Sequence, residues 1–205
     1  MRITALVENR SEGILRPKHG LSLHIETEKH KLLFDLGPDN TLFENAKKKN
    51  IDLTEIDTVI ISHGHKDHGG ALQRFLHINS KAKIYVQRRA FEPHYSRFLF
   101  FKVNIGLDRH FENHPQVILV DGDMEIDEEL SLFIINNNSK CYSNANNPLY
   151  EGYQKDYFKH EQNLVIREKQ TQVQFYTCHC TGKKAYDYLA SKLPNMHYLF
   201  CGNTI

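Results

Sequence analysis

The chain lacks, or has little of, several features that would narrow its function quickly, and each absence excludes something. There is no charge imbalance: 26 Lys and Arg stand against 25 Asp and Glu, a net of +1. Nucleic acid and anionic membranes attract surfaces with excess positive charge, so neither is an expected partner, and any pull on an anionic ligand must be local. No stretch approaches the ~18 consecutive apolar residues of a membrane span. The opening MRITALVENR enters a strand-like pattern at once, where an export signal would give a basic stretch followed by an apolar one. Cysteine is scarce, with only Cys141, Cys178, Cys180 and Cys201. Without an export signal these read as thiols in a reducing cytoplasm, not as a disulfide framework. No repeat, low-complexity tract or linker divides the chain. The 205 residues are therefore expected to form a single cytoplasmic domain, 1–205, long enough to bury a core without staples.

Present instead is a regular alternation of extended and helical signals. RITALV (2–7) and LSLHIE (21–26) alternate apolar and polar residues, as half-buried strands do. KLLFDLG (31–37) reads as a strand that brings Asp35 to its carboxyl end before Gly37-Pro38. NTLFENAKKK (40–49) has the spacing of a short amphipathic helix, and TVIIS (58–62) is the continuous apolar run of a strand covered on both faces. GALQRFLHI (70–78) is helical in rhythm, KIYVQ (83–87) is a strand, and 116–135 reads as strand, acidic turn, strand. The aromatic, basic segment 88–111 suits either a lid over a site or a surface excursion packing its own aromatics. Residues 136–158 are turn-rich loop, NLVIRE and QVQFYT are strands, and KKAYDYLASKL is a helix. Strands and helices in this order predict an α/β (α+β) layering of sheets and helices.

Histidine is the compositional oddity, at 13 residues. Four candidate ligands fall within six positions, His63, His65, Asp67 and His68, in the run His63-Gly64-His65-Lys66-Asp67-His68. The run leaves a strand and enters a helix, and ligands in open α/β sheets bind at the carboxyl ends of strands. His63 and His65, two apart, can project to the same side, with Asp67 and His68 turned to a second position. Imidazole and carboxylate suit Zn²⁺, and also iron or manganese. Gly64, Gly69 and Gly70 are expected to lend the tight turn backbone freedom. Asp35 suits a turn cap, or a carboxylate behind the ligands that accepts an imidazole N–H. His179, between Cys178 and Cys180, suits a core position or a ligand; Cys-x-Cys alone has the wrong spacing for a zinc knuckle.

SHGHKDHGGAL resembles the HxHxDH signature of the metallo-β-lactamase superfamily. LLFDLG, FENAKKKNIDLTEIDTVIISHGH, NIGL (104–107), FKHEQNLVI (158–166), YTCHCTGKKAYDYL (176–189) and FCGNTI resemble the branch of dihydropterin ribofuranosylaminobenzene phosphate synthase-like metallohydrolases. The resemblance implies an αββα sandwich with a two-metal site at one edge. His63 and His65 would hold the first ion, and Asp67, His68 and His179 the second. A water or hydroxide on the metals would be the nucleophile, with Asp67 as the catalytic residue orienting it and Asp35 supporting the ligands from behind. The cofactor would be a divalent metal, zinc foremost, as one or two ions.

The sequence also departs from that pattern. Relatives carry, between the HEQNLVI strand and CHCTG, a GCxHxG-type segment whose histidine completes the first site, and a GGFHL-type segment after it. Here NLVIREKQ runs almost directly into TQVQFYTCHCTG, so the second half is expected to be shortened. His160 is a substitute ligand by residue type, with a structural hydrogen bond as its other reading. The missing strands would bare apolar edges, which favours a homodimer. The expected function is metal-dependent hydrolysis or transfer on a small, anionic or phosphorylated substrate, with Arg88, Arg89, Arg97, Lys102 and Arg109 as phosphate contacts or as solvated surface. The alternative is a degenerate metal-binding or regulatory protein of the same fold. RNA processing, a third occupation, fits poorly with the neutral charge.

Overall fold

The fold is described from a computed structural model for residues 1–98, 100–134, 149–167, 175–177, 186–187, 190–193 and 195–205. Its centre is a six-stranded mixed sheet in the order β1-β2-β3-β4-β5-β8. The strands are β1 (Arg2–Val7), β2 (Ser22–Glu26), β3 (Lys31–Phe34), β4 (Thr58–Ile61), β5 (Lys83–Gln87) and β8 (Val117–Val120), with β6 (His94–Phe98) and β7 (Phe101–Asn104) in a separate sheet. β1, β2 and β3 pair antiparallel, whereas β3-β4, β4-β5 and β5-β8 pair parallel. Parallel strands need crossovers. Helices α1 (Thr41–Lys48) and α3 (Leu72–Ile78) supply two of them, with the one-turn helix α2 (Lys66–Gly69) just before α3. α1 starts where Asp39 Oδ1 accepts from the Thr41 backbone N–H at 2.9 Å and the Thr41 hydroxyl at 2.7 Å.

The helices cover one face of this sheet. Leu42 and Ala46 of α1 and Leu72 and Phe75 of α3 pack with Leu33, Val59, Ile61, Ile84 and Val86 in the largest apolar cluster. The other face meets a second sheet, order β13-β10-β9, made of β9 (Met124–Glu125), β10 (Leu130–Phe133) and β13 (Asn163–Ile166). Ile60 and Tyr85 of the first sheet meet Leu132 of the second in one cluster, and Ile25 and Leu32 meet Leu130 in another. Helix, sheet and sheet are thus stacked, as expected of this mixed α/β architecture. Much of KKAYDYLASKL, together with Cys141, Cys178, His179 and Cys180, lies outside the described residues.

A third sheet, order β12-β11-β6-β7, stands over the carboxyl ends of the parallel strands and includes β11 (Leu149–Glu151) and β12 (Gln154–Lys155). The 88–111 segment therefore builds a hairpin, and its partner strands come from the stretch read as loop. Among the described residues, large exposed apolar side chains gather here: Phe100, Phe101, Val103 and Tyr153. A parallel pair, β14 (Phe175–Thr177) and β15 (Met196–Tyr198), completes the strands among the described residues. After it the chain returns to β1: Ile3 and Ile205 exchange backbone hydrogen bonds of 2.8 and 2.9 Å, and Ala5 N–H donates to Asn203 O at 3.0 Å. No helix among the described residues is long and apolar enough to cross a membrane.

Candidate metal centre

Three loops converge at the carboxyl ends of β3, β4 and β5. β3 ends at Asp35, which is fully buried and sits at a φ of 64°, a left-handed conformation uncommon outside glycine. From there its carboxylate accepts from Ser62 N–H at 2.7 Å, the Ser62 hydroxyl at 2.8 Å and His68 Nδ1 at 2.6 Å. Asp35 is therefore more than a turn cap: it ties the end of β4 and the start of α2 to one point. Strain at a buried, fully hydrogen-bonded residue persists because its surroundings over-determine it.

Beyond β4 the chain forms the histidine loop. His63, His65 and His68 are all nearly inaccessible, at 5%, 5% and 1% exposure. The His63 ring lies 4.0 Å from that of His68 and 4.6 Å from that of His65, centroid to centroid. Ser62 Oγ is 2.9 Å from His63 Nδ1, and Asp35 engages His68 Nδ1, so both rings present Nε2 away from their anchors. Nε2 of His68 stands 3.6 Å from Asp67 Oδ2. One donor atom each from His63, Asp67 and His68 lies within 4.8 Å of the others. Burial, and after it the neighbouring imidazoles of His68, His65 and His160, hold the pKa of His63 well below the usual histidine value. A neutral imidazole with an anchored Nδ1 is the form that ligates metal, so the donor set fits a divalent cation.

The glycines of this loop are needed for space, not for φ. Gly64, Gly69 and Gly70 are absent from the positive-φ positions, contrary to the expectation of special backbone freedom. A Cβ on Gly64 would lie 2.3 Å from the Ala90 carbonyl oxygen and 2.7 Å from His94 Nε2. The loop is clamped from that side by the NIGL segment: Lys66 N–H donates to Ile105 O at 2.7 Å and Leu107 N–H to Gly64 O at 3.1 Å.

His65 faces a different group. Its Nε2 lies 3.3 Å from Asp156 Oδ2, and the same carboxylate is met by His160 Nε2 at 3.1 Å to both oxygens. Asp156, His94 and His160 are fully buried. Burial raises the Asp156 pKa, but hydrogen bonds from His160 and His65 outweigh it and hold the carboxyl well below the usual range. Burial, the largest influence, pushes His160 down to about 4. His94 Nδ1 has no hydrogen-bond partner among the described residues and stands 3.7 Å from Asp156 Oδ2, too far for a hydrogen bond. Donor atoms of His65, His94, Asp156 and His160 also lie within 4.8 Å of one another. Neither His94 nor Asp156 stands out in the sequence; the spacing Asp156-x₃-His160 is the one available signal. At the mouth, His19 Nε2 approaches Asp67 Oδ2 at 3.3 Å, and that contact raises the His19 pKa. Nothing in the sequence marks His19.

The structure thus brings Asp35, His63, His65, Asp67 and His68 together, and places His160 beside them on Asp156. His179 falls outside the described residues. The basic residues are largely engaged elsewhere. Arg88 holds Asp121 through two contacts of 2.8 Å, Arg89 pairs with Glu92 and Glu151, and Arg109 pairs with Glu112. Lys102 lies over the rings of Tyr95, Tyr150 and Tyr153.

The crystal structure of Tm1679, described as a metal-dependent hydrolase of the beta-lactamase superfamily, superposes with a TM-score of 0.80 at 21% identity, covering 100% of this chain and 98% of that one. A quorum-quenching N-acyl homoserine lactone lactonase aligns at a TM-score of 0.46 and 18% identity, over 65% of this chain and 62% of its own. An uncharacterized protein of Methanocaldococcus jannaschii is 30% identical over 129 residues, 62% of this chain; the chain spans about half the length (47%) of that relative. The model of the metallo-beta-lactamase superfamily matches residues 15–139, a span that holds Asp35 and the whole His63–His68 loop, and the chain belongs to that superfamily.

Proposed function

We propose that this protein is a metal-dependent hydrolase, or transferase, acting on a small anionic or phosphorylated substrate. The carrying observation is the convergence of buried His63 and His68 with half-buried Asp67, and His65 beside them, at the carboxyl ends of parallel strands. His63 and His65 would hold one divalent ion, and Asp67 and His68, joined by His179, a second. Zinc is the foremost candidate, with iron and manganese also suited to the donor set. When bound, such a cation supplies Lewis acidity and an acidified water as nucleophile. Asp67, the catalytic residue in this reading, would orient that water. Asp35 would hold His68 in the tautomer whose Nε2 carries the lone pair.

The positive charge for an anionic substrate would come from the site itself. Arg88, Arg89 and Arg109 are already matched by carboxylates, so their reading as phosphate contacts gains little from the geometry. The resemblance to the dihydropterin ribofuranosylaminobenzene phosphate synthase-like branch supports a phosphorylated or pterin-like substrate. Metal analysis of the purified protein, paired with phosphodiesterase and phosphatase assays, tests the reading. One to two metals per chain are expected, with turnover abolished by a chelator and restored by zinc or manganese. One metal per chain or fewer, without turnover, would support the degenerate binding protein instead.

A further inference from the structure

Asp156 and its three histidines sit behind the candidate centre, and two arrangements compete for them. They are four potential ligands in a closed box, which invites a cation of its own. The hydrogen-bond directions argue otherwise. Gly64 N–H donates to His160 Nδ1 at 2.9 Å, so that nitrogen carries the lone pair and Nε2 carries the proton. His160 Nε2–H then points at both Asp156 oxygens and has no lone pair to offer a cation. Asp156 Oδ1 also accepts from Phe158 N–H at 2.7 Å. The carboxylate is therefore acting as an acceptor hub.

The consequence falls on His65. A ring nitrogen 3.3 Å from a carboxylate oxygen is the protonated one, which assigns the proton to Nε2 and the lone pair to Nδ1. His63 and His68 are anchored in the opposite sense, through Nδ1, and expose Nε2. We infer that Asp156 is a positioning residue: it fixes His65 in the Nε2–H tautomer, so that His65 meets the cation through Nδ1 while its loop neighbours use Nε2. His160 supports this from the same carboxylate and holds the loop backbone at Gly64. This inference rests on the metal-centre reading above and assigns His160 a role other than that of substitute ligand.

The test uses the wild-type protein first. Long-range ¹H–¹⁵N correlation spectra, metal-free and zinc-loaded, should show His65 protonated on Nε2 in both states. A proton on Nδ1 would overturn the assignment whatever any variant does. Cobalt(II) titration followed by its d–d absorption bands then compares wild type with D156N. Replacing a carboxylate that orients a ligand typically weakens metal binding about 10–100-fold, so D156N should lose affinity in that range while saturating at the same stoichiometry. Its metal-free circular dichroism and melting temperature serve as the fold control. Equal affinity in D156N overturns the inference, and so does the loss of a whole cobalt equivalent, which would make Asp156 itself a ligand. If the wild-type protein binds no cobalt, the metal-centre reading fails and takes this inference with it.

Discussion

Two buried carboxylates, Asp35 and Asp156, hold imidazoles of the same short loop, yet they reach it by opposite routes. Asp35 stands one residue beyond β3, a strand hydrogen-bonded to the one that delivers the loop, so neighbouring strand ends suffice to bring it there. Asp156 arrives from a segment some ninety residues further on, at the end of a hairpin that belongs to a different sheet. The first is built into the main sheet; the second depends on how an added sheet docks. The difference suggests that the loop is assembled by the core and then set by the periphery.

Substitutions put that contrast to the test. The largest effect is expected from Asp35→Ala. It strips the acceptor from Ser62 N–H, Ser62 Oγ–H and His68 Nδ1, all buried, and each orphaned group costs roughly 1–3 kcal/mol, so urea unfolding should show a loss of at least about 3 kcal/mol. A loss below about 1 kcal/mol would remove Asp35 from its place as the core anchor. Next comes Gly64→Ala, whose Cβ must displace backbone at Ala90 and the ring of His94. Overpacking of this kind costs about 1–3 kcal/mol, and here cobalt affinity should fall together with melting temperature because the loop itself must move. Unchanged affinity would show that the loop tolerates displacement from the peripheral side.

The smallest effect belongs to a third carboxylate–histidine unit, far more accessible than either hub. His30 Nδ1 lies 2.9 Å from Asp57 and Nε2 lies 2.7 Å from Asp127, linking the β2–β3 turn to the acidic turn of the second sheet. Burial lowers its pKa, but the two carboxylates outweigh that and raise it above the usual value. A raised histidine pKa stabilises the fold fully below the unfolded value of about 6.5 and loses that contribution as pH rises through the folded value. Being partly exposed and screened, the unit is worth less than about 1 kcal/mol. D127N should therefore flatten the melting-temperature profile between about pH 6 and 8. An unaltered slope would mean that His30 plays no part in it.

The legibility of the sequence follows the same division. β3 through β5 and α1 are readable because they combine a clear pattern with punctuation, such as continuous apolar residues in TVII and Gly37-Pro38 after KLLF; RITALV is a strand, but residues 4–7 are buried without a break where alternation predicts half-burial. The histidine loop and Asp35 are readable for a chemical reason, since packing alone does not call for three imidazoles and a carboxylate crowded at a strand end. His94 and Asp156 are not. β11 and β12 are 3 and 2 residues long, too short to show a period, and the pairing of β11 with β6 is set by tertiary docking. A glycine chosen for clearance, such as Gly64, also looks the same in sequence as one chosen for a left-handed turn.

The return of residues 202–205 to β1 carries a consequence for biosynthesis. β1 leaves the ribosome some two hundred residues ahead of the segment that pairs with its outer edge, which finds that partner only when residues 203–205 have emerged. Until then the edge offers unpaired backbone groups to any passing chain, so the growing polypeptide would rely on chaperones or on speed of synthesis to stay out of trouble. Ribosome-bound chains ending before residue 200 should accordingly be more protease-sensitive at β1 than released protein.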